Sequence, residues 1–384
     1  MTPIDPRGRD CRLFTGYKPC RPGAECTDEC RDRVPFGTRV LIVNLDALGN
    51  VLMTTAQLAG VKREWPESTV VWLTAPEAVP LLQGNPYLDG VYAWHDENRM
   101  VLSAQRFDVV LNADKSVRAC AFTASLDCPD VRGFTLSHLG QIVPANDGAE
   151  YAYRLGLDDR LKFRVNKKTG QEILAEAWGL PYRRDEYVFR LTSEEEAFCT
   201  RLRQEWGLDG ATVVGLNTGC SNLFPNKKMT VGQHVSLIER LAGRGGLVFL
   251  LLGGREDTAR NAEIARRASA SGARVIETPT TEGLRRGACY ENLADIVVTG
   301  DSFGMHLAIA LRKHVAAWFG LSCWEEIDLY DRGVKFHPDG LACAPCWQRV
   351  CPHNLECIAA IDLEGIAREV EAFADARAAE RGAA

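Results

Sequence analysis

The chain has no apolar run near the roughly 18 residues that a bilayer-spanning helix needs. Its longest run, Gly246-Leu247-Val248-Phe249-Leu250-Leu251-Leu252-Gly253, has the length of a buried strand. The first residues, Met1 to Asp10, are polar and hold no apolar leader core. A cytoplasmic location is therefore expected, with contact to the inner membrane face at most peripheral. An excess of positive charge is missing as well. The chain carries 45 Lys and Arg against 51 Asp and Glu, a net charge of -6. That argues against a sequence-independent nucleic-acid binder, which needs a basic face. No internal repeat recurs at solenoid spacing.

Cysteine, by contrast, is abundant, with 14 in 384 residues. In a reducing compartment, clustered cysteines read as metal ligands before disulfides. Cys343-Ala344-Pro345-Cys346 is followed by Cys351 and Cys357, a dense set that suits structural zinc or iron. His353 is a substitute ligand. Cys11, Cys20, Cys26 and Cys30 form a second, looser quartet. The bland alternative for either cluster is a set of free thiols. The remaining cysteines read as small apolar core residues.

The length suits two domains. With 46% hydrophobic and 25% charged residues, the composition is that of a soluble globular protein. Arg39 to Asn44 is apolar on both faces, as a central parallel strand should be. A glycine turn at Leu48-Gly49-Asn50 and a helical pattern from Val51 to Lys62 follow. Val70 to Leu73 and Phe107 to Leu111 read as further strands. The alternation resumes after the acidic helix start Ser193-Glu194-Glu195-Glu196. Strands are expected at Thr212 to Leu216, Leu247 to Leu252, Asp295 to Val298 and Val315 to Phe319, with helices between them. The expected organisation is a cysteine-rich segment over 1–35, an α/β domain over 36–185, and a second over 186–360 that holds the cysteine-rich stretch 343–357. A closing helix within 361–384 is expected to pack back on the first domain. Tandem α/β domains bind ligands beyond the carboxyl ends of their strands. The residues alone thus imply a two-domain binder of something anionic and nucleotide-like.

Three segments carry a family resemblance. They are Leu41 to Thr55 (LIVNLDALGNVLMTT), Leu81 to Asp89 (LLQGNPYLD) and Val298 to Leu311 (VTGDSFGMHLAIAL), the last followed by Trp318-Phe319-Gly320. Together they resemble glycosyltransferase family 9, the ADP-heptose heptosyltransferases, over roughly residues 38 to 375. The resemblance implies a GT-B fold of two Rossmann-like domains, an inverting mechanism and no catalytic metal. It implies an ADP-heptose-like nucleotide-sugar donor and an acceptor that is a lipopolysaccharide core, another surface glycan or a protein hydroxyl. The lack of an Asp-x-Asp pair at a strand end agrees with metal-free chemistry. A GT-B epimerase and a catalytically idle nucleotide-sugar binder are the alternatives.

The resemblance also points to residues. Asp301 and Ser302 precede a helix whose N–H groups attract a pyrophosphate, with Phe303, Gly304 and His306 inside it. The plain alternative is a capping Asp-Ser with a core histidine. Lys227 matches a lysine that neutralises donor phosphate, and Thr218 lies in the polar strand-end run upstream. Glu256, just past Gly253-Gly254, is placed to meet ribose hydroxyls. The chain departs from the family at Phe303, where Gly is frequent, and at Asn50, where many members have Asp. An amide cannot act as a base, so the acceptor proton is assigned to Asp114 first and Asp46 second. Lys115 is expected to keep Asp114 ionised.

Overall fold

The protein, seen as a computed structural model, is described at residues 8–27, 29–221 and 223–383. Most of the polar run from Met1 lies outside the described residues, as do Asp28, Asn222 and Ala384.

Two six-stranded sheets form the framework. The first holds β1 (Thr38–Val43), β2 (Ser68–Thr74), β3 (Gly90–Ala93), β4 (Val109–Asn112), β5 (Asp130–Leu136) and β6 (Ile142–Pro144). The second holds β7 (Thr212–Asn217), β8 (Leu247–Leu252), β9 (Val275–Glu277), β10 (Ile296–Gly300), β11 (His314–Trp318) and β12 (Gly333–Phe336). The orders are β3-β2-β1-β4-β5-β6 and β12-β11-β10-β7-β8-β9. Ranked within its own half, each sheet has the same doubly wound order. All pairings are parallel except β5 with β6. This is the GT-B pairing of two Rossmann-like units. Each sheet reverses its order between its first and fourth strands, where such sheets leave a crevice for ligands.

The central strands form where the sequence stays apolar on both faces. Val40, Leu41, Ile42 and Val43 are fully buried, as are Leu250 and Leu251. The strands absent from the sequence reading, β3, β5, β6, β9 and β12, are short or polar and mostly half-exposed. In β5, Gly133 sits at φ +94°, and a Cβ there would run into the Asn112 carbonyl of β4. Only glycine allows that pairing. The helices Ser193–Glu205 and Val231–Ala242 start with capping boxes, Thr192 with Glu195 and Thr230 with Gln233.

One core cluster runs through both halves, from Val40 and Leu52 to Met305 and Leu307. Tyr187 and Phe189 of the connecting stretch are buried in it. The closing helix, Leu363–Ala383, corrects the expectation drawn from sequence: it lies on the second sheet, not on the first domain. Its Ile366, Val370 and Ala374, one turn apart, pack with Val214, Val298, Ala316 and Trp318. Arg377 pairs with Asp295 at 3.1 Å, and His314 with Glu369 at 2.6 Å. Without the helix this apolar sheet face would meet water.

Ile366→Ala should therefore lower stability by about 2–4 kcal/mol, read by urea denaturation. Amide exchange should quicken in β10 and β11 and stay slow in β1 and β2. Faster exchange in the first sheet instead would place the helix on the wrong domain.

Candidate active site

The ends of β7 and β10, side by side at the second sheet's reversal, are tied by Asn217. Its Nδ2 donates to Thr299 Oγ1 at 2.9 Å and to Ser302 Oγ at 2.7 Å. Gly304 makes room, since any Cβ there would overlap this amide. Ser302 has the extended backbone of an N-cap, yet no side chain caps the helix Phe303–Ala310.

Lys227 sits on a single turn, Pro225–Lys227, facing this helix start. Its Nζ donates to Asp301 Oδ2 at 2.6 Å, and each side chain is only 13% exposed. Burial pushes the Asp301 carboxyl up, but Lys227, His306 and Ser322 outweigh it and hold the group below the usual carboxylate range. His306, buried behind Asp301, is pulled down to about 4 by burial and is neutral at pH 7. Its Nδ1 is bonded to the Tyr187 hydroxyl at 3.1 Å.

A second pair, absent from the sequence reading, lies beside the first. Lys228 reaches Asp257 Oδ1 at 3.3 Å, and Gly254 N–H donates to Asp257 Oδ2 at 3.0 Å. Asp257 fills the space that Gly219 leaves empty. The adjacent lysines and the glycines at 219 and 253 were the available signal. Glu256 stands exposed at the same β8 end. Thr218 does not face the cleft as expected: it is 1% exposed, and its hydroxyl meets the Leu252 carbonyl and Asn261. A residue one step along a pleat points the opposite way, so Thr218 braces β7 to β8.

Across from these lies the crevice end of the first sheet. Asp114, two residues past β4, is 7% exposed. Its Oδ1 accepts from Asn44 Nδ2 at 2.7 Å and its Oδ2 from Leu45 N–H at 2.5 Å. Burial raises its carboxyl to about 6, against those two donors and the Asp46 N–H, with added repulsion from the Asp46 carboxylate. Lys115 is not the counter-charge expected for it, because its ammonium turns away to the Ala152 carbonyl and the Phe134 ring. Asp46 is half-exposed and paired with Arg118.

The family model described as glycosyltransferase family 9 (heptosyltransferase) matches residues 99–356, well over half of the chain. The chain belongs to glycosyltransferase family 9. It is accordingly a heptosyltransferase-family glycosyltransferase. No curated protein sequence matches it. Among solved structures, a family 9 glycosyl transferase from Veillonella parvula is similar at 16% identity and TM-score 0.66, over 88% of this chain and 97% of that one. The ADP-heptose lipopolysaccharide heptosyltransferase II of E. coli is similar at 15% identity and TM-score 0.65, over 88% and 99%. The E. coli heptosyltransferase WaaC, solved with ADP-2-deoxy-2-fluoro heptose, is similar at 18% identity and TM-score 0.55, over 79% and 94%. Identities this low establish the fold alone. The family match begins downstream of Leu41 to Thr55, so the opening resemblance lies outside it.

The C-terminal cysteines expected to hold a metal are brought to one place. Cys343, Cys346, Cys351 and Cys357 line one small cavity of about 30 Å³. Among the described residues, however, no group of three or more His, Cys, Asp or Glu is arranged to hold a metal ion. Cys357 is buried under β11 against Gly320, while Cys351 Sγ accepts from the N–H groups of His353 and Leu355 at 3.3 and 3.4 Å. Cys11, Cys20, Cys26 and Cys30 line a roomier cavity of about 290 Å³. All fourteen are free thiols. Among the described residues, no helix is long and apolar enough to cross a membrane.

The two domains meet where helix Leu48–Thr54 lies against helix Phe303–Ala310. A Cβ on Gly49 would come within 2.5 Å of the His306 ring. Gly49→Ala should cost about 1–3 kcal/mol through overpacking, measured by chemical denaturation. An unchanged midpoint would mean that the helices separate at no cost.

Proposed function

We propose that the chain transfers heptose, with inversion, from an ADP-activated donor to a hydroxyl of a lipopolysaccharide core, another surface glycan or a protein. The observation that carries the reading is the Lys227–Asp301 pair at the start of the Phe303 helix, inside the family match. An ammonium has three donors. Lys227 can hold Asp301 with one and meet the distal phosphate with another. Charge grows on that phosphate as the sugar–oxygen bond breaks, and the lysine offsets it. Asp301 accepts from sugar hydroxyls, and the uncapped helix start with Ser302, Phe303 and Gly304 takes the pyrophosphate. His306 supports Asp301 from behind, and Glu256 meets the ribose. The heptose named with WaaC and heptosyltransferase II supports the choice of donor.

The acceptor hydroxyl must lose its proton as it attacks the anomeric carbon. Asp114 takes it on this reading. Its oxygens accept from Asn44 Nδ2 and from the Leu45 and Asp46 N–H groups, three donors for about four lone-pair sites, which leaves one for the acceptor hydroxyl. A base is most effective when its proton affinity lies near the working pH. Asp46 is the second choice, since it lacks that burial.

Incubation with ADP-heptose and a heptose-free lipopolysaccharide, followed by mass analysis, tests the reading. Asp301→Ala should still fold, with some stability lost because the buried Lys227 is left unpaired, and should lose transfer. Lys227→Ala should lower turnover about a hundredfold. Full activity in Asp301→Ala would sink the donor assignment. An epimerised donor recovered from the reaction would favour an epimerase.

The pH dependence tests Asp114. Its folded-state pKa is raised to about 6. The basic form is therefore lost as pH falls through 6, and turnover should fall with it. The stability cost of the buried charge is present above about pH 6 and disappears as pH falls toward 4. Asp114→Asn should lower turnover by about two orders of magnitude and abolish this limb of the profile. A retained limb with Asp46→Asn dead would reverse the two roles.

A further inference from the structure

The cysteine-rich loop bridges the two domains beside the donor-side lysine. It runs along the opening of the cleft and is gripped from both sides. From the first domain, the Arg164 guanidinium donates to the carbonyls of Ala344 at 2.7 Å and Ala342 at 2.5 Å. From the second, Asn226 Nδ2 donates to the Gln348 carbonyl at 2.9 Å. Between these grips stands Trp347, with φ at +54°. An aromatic residue in the left-handed region is strained, and such strain persists only where the surroundings enforce it. Here the N–H groups of Cys346 and Trp347 both donate to the Leu321 carbonyl, at 3.0 and 2.8 Å.

This backbone delivers the indole to two ammonium groups. Lys227 Nζ lies 4.4 Å from a ring centroid of Trp347, and Lys162 Nζ of the first domain lies 5.1 Å away. Phe224, three residues before Lys227, packs on the same indole with centroids 5.2 Å apart. Trp347 is 40% exposed, so it forms a wall of the cleft rather than part of the core. A ring face attracts a cation without occupying its N–H donors. A carboxylate in that place would compete with phosphate oxygens for Lys227.

We propose that Trp347 is a positioning residue for Lys227: the cysteine-rich loop holds its indole against the lysine, fixing the ammonium toward the cleft with donors to spare for a diphosphate. Lys162 on the same indole ties that position to the first domain. The inference rests on the donor reading above, in which Lys227 meets the distal phosphate.

Calorimetric titration of ADP and AMP tests it. The proteins are the wild type, Lys227→Ala, Trp347→Ala, Trp347→Phe and the Lys227→Ala/Trp347→Ala double variant. AMP lacks the phosphate that Lys227 faces, so the wild type should prefer ADP and Lys227→Ala should lose most of that preference. Trp347→Ala should narrow the ADP-to-AMP affinity ratio by about five- to tenfold, with AMP affinity unchanged. Trp347→Phe, which keeps a ring face, should bring the ratio back to within about threefold of wild type. The double variant should lose no more than Lys227→Ala alone, because both act through one contact. A merely damaged loop would weaken AMP as well and would not be rescued by Phe. A wild-type ratio in Trp347→Ala, or losses that add in the double variant, overturns the proposal while leaving the donor reading intact. A wild type indifferent to ADP over AMP overturns both.

Discussion

The close approach of Gly49 to His306 is the constraint on which the rest of the site depends. The two sheets are separately wound, and their relative placement is set by two helices that touch where one has no side chain. His306 fills that gap, bonds Tyr187 of the connecting stretch, and backs Asp301 on its other side. Domain coupling and the proposed donor site therefore share one chain of contacts. Because burial keeps the imidazole neutral, it contributes shape and hydrogen bonding at pH 7. The charge that steadies Asp301 comes from Lys227.

That division explains why the second sheet carries paired charges at its crevice. Lys227 and Lys228 are neighbours in sequence, yet they reach loops after different strands: Asp301 beyond β10 and Asp257 beyond β8. Both pairs are largely buried. Removing one member of such a pair leaves an uncompensated charge, which costs more than the pair itself contributes. The arrangement pins three loops in register around the space where the proposed donor's phosphates would lie. The first sheet repeats the strand order but uses its crevice end differently. There one carboxylate, Asp114, is folded back onto the chain leaving β1, and the neighbouring lysine turns away.

The central strands were legible in the sequence because burial on both faces leaves an unbroken apolar run, as in Val40 to Val43 and Leu247 to Leu252. The edge strands were not, because β3, β9 and β12 are short and half-exposed, and β5 breaks its pattern with Arg132 and Gly133. The closing helix was visible as a helix, but an alanine-rich stripe does not say which sheet it will cover. Asp301 and Lys227 stood out through resemblance, and the fold brings them within hydrogen-bonding distance. Thr218 and Lys115 were misread for one reason: the direction of a strand-end side chain depends on the pleat and the neighbouring loop. Asp257 and Lys228 left only a faint signal, the adjacent lysines and the glycines at 219 and 253, and Trp347 left none, since their places depend on voids at glycines and on loops that meet only in the folded chain.

The same geometry bears on Asn50. The family resemblance leads one to expect Asp there, in the helix after β1, and this chain has an exposed amide. β1 and β4 are adjacent and in register, with Val43 opposite Asn112. Two residues further along each strand lie Leu45 and Asp114, joined by a hydrogen bond. A carboxylate leaving β4 thus reaches the same crevice as one leaving β1, without a change in backbone. The difference lies in the environment. A helix-borne Asp at 50 would sit in water, whereas Asp114 is enclosed, hydrogen-bonded and repelled by Asp46, with its proton affinity raised toward neutrality. On the proposed reading, the loss of one exposed carboxylate is offset by burying another, and the acceptor must reach deeper into the cleft to meet it.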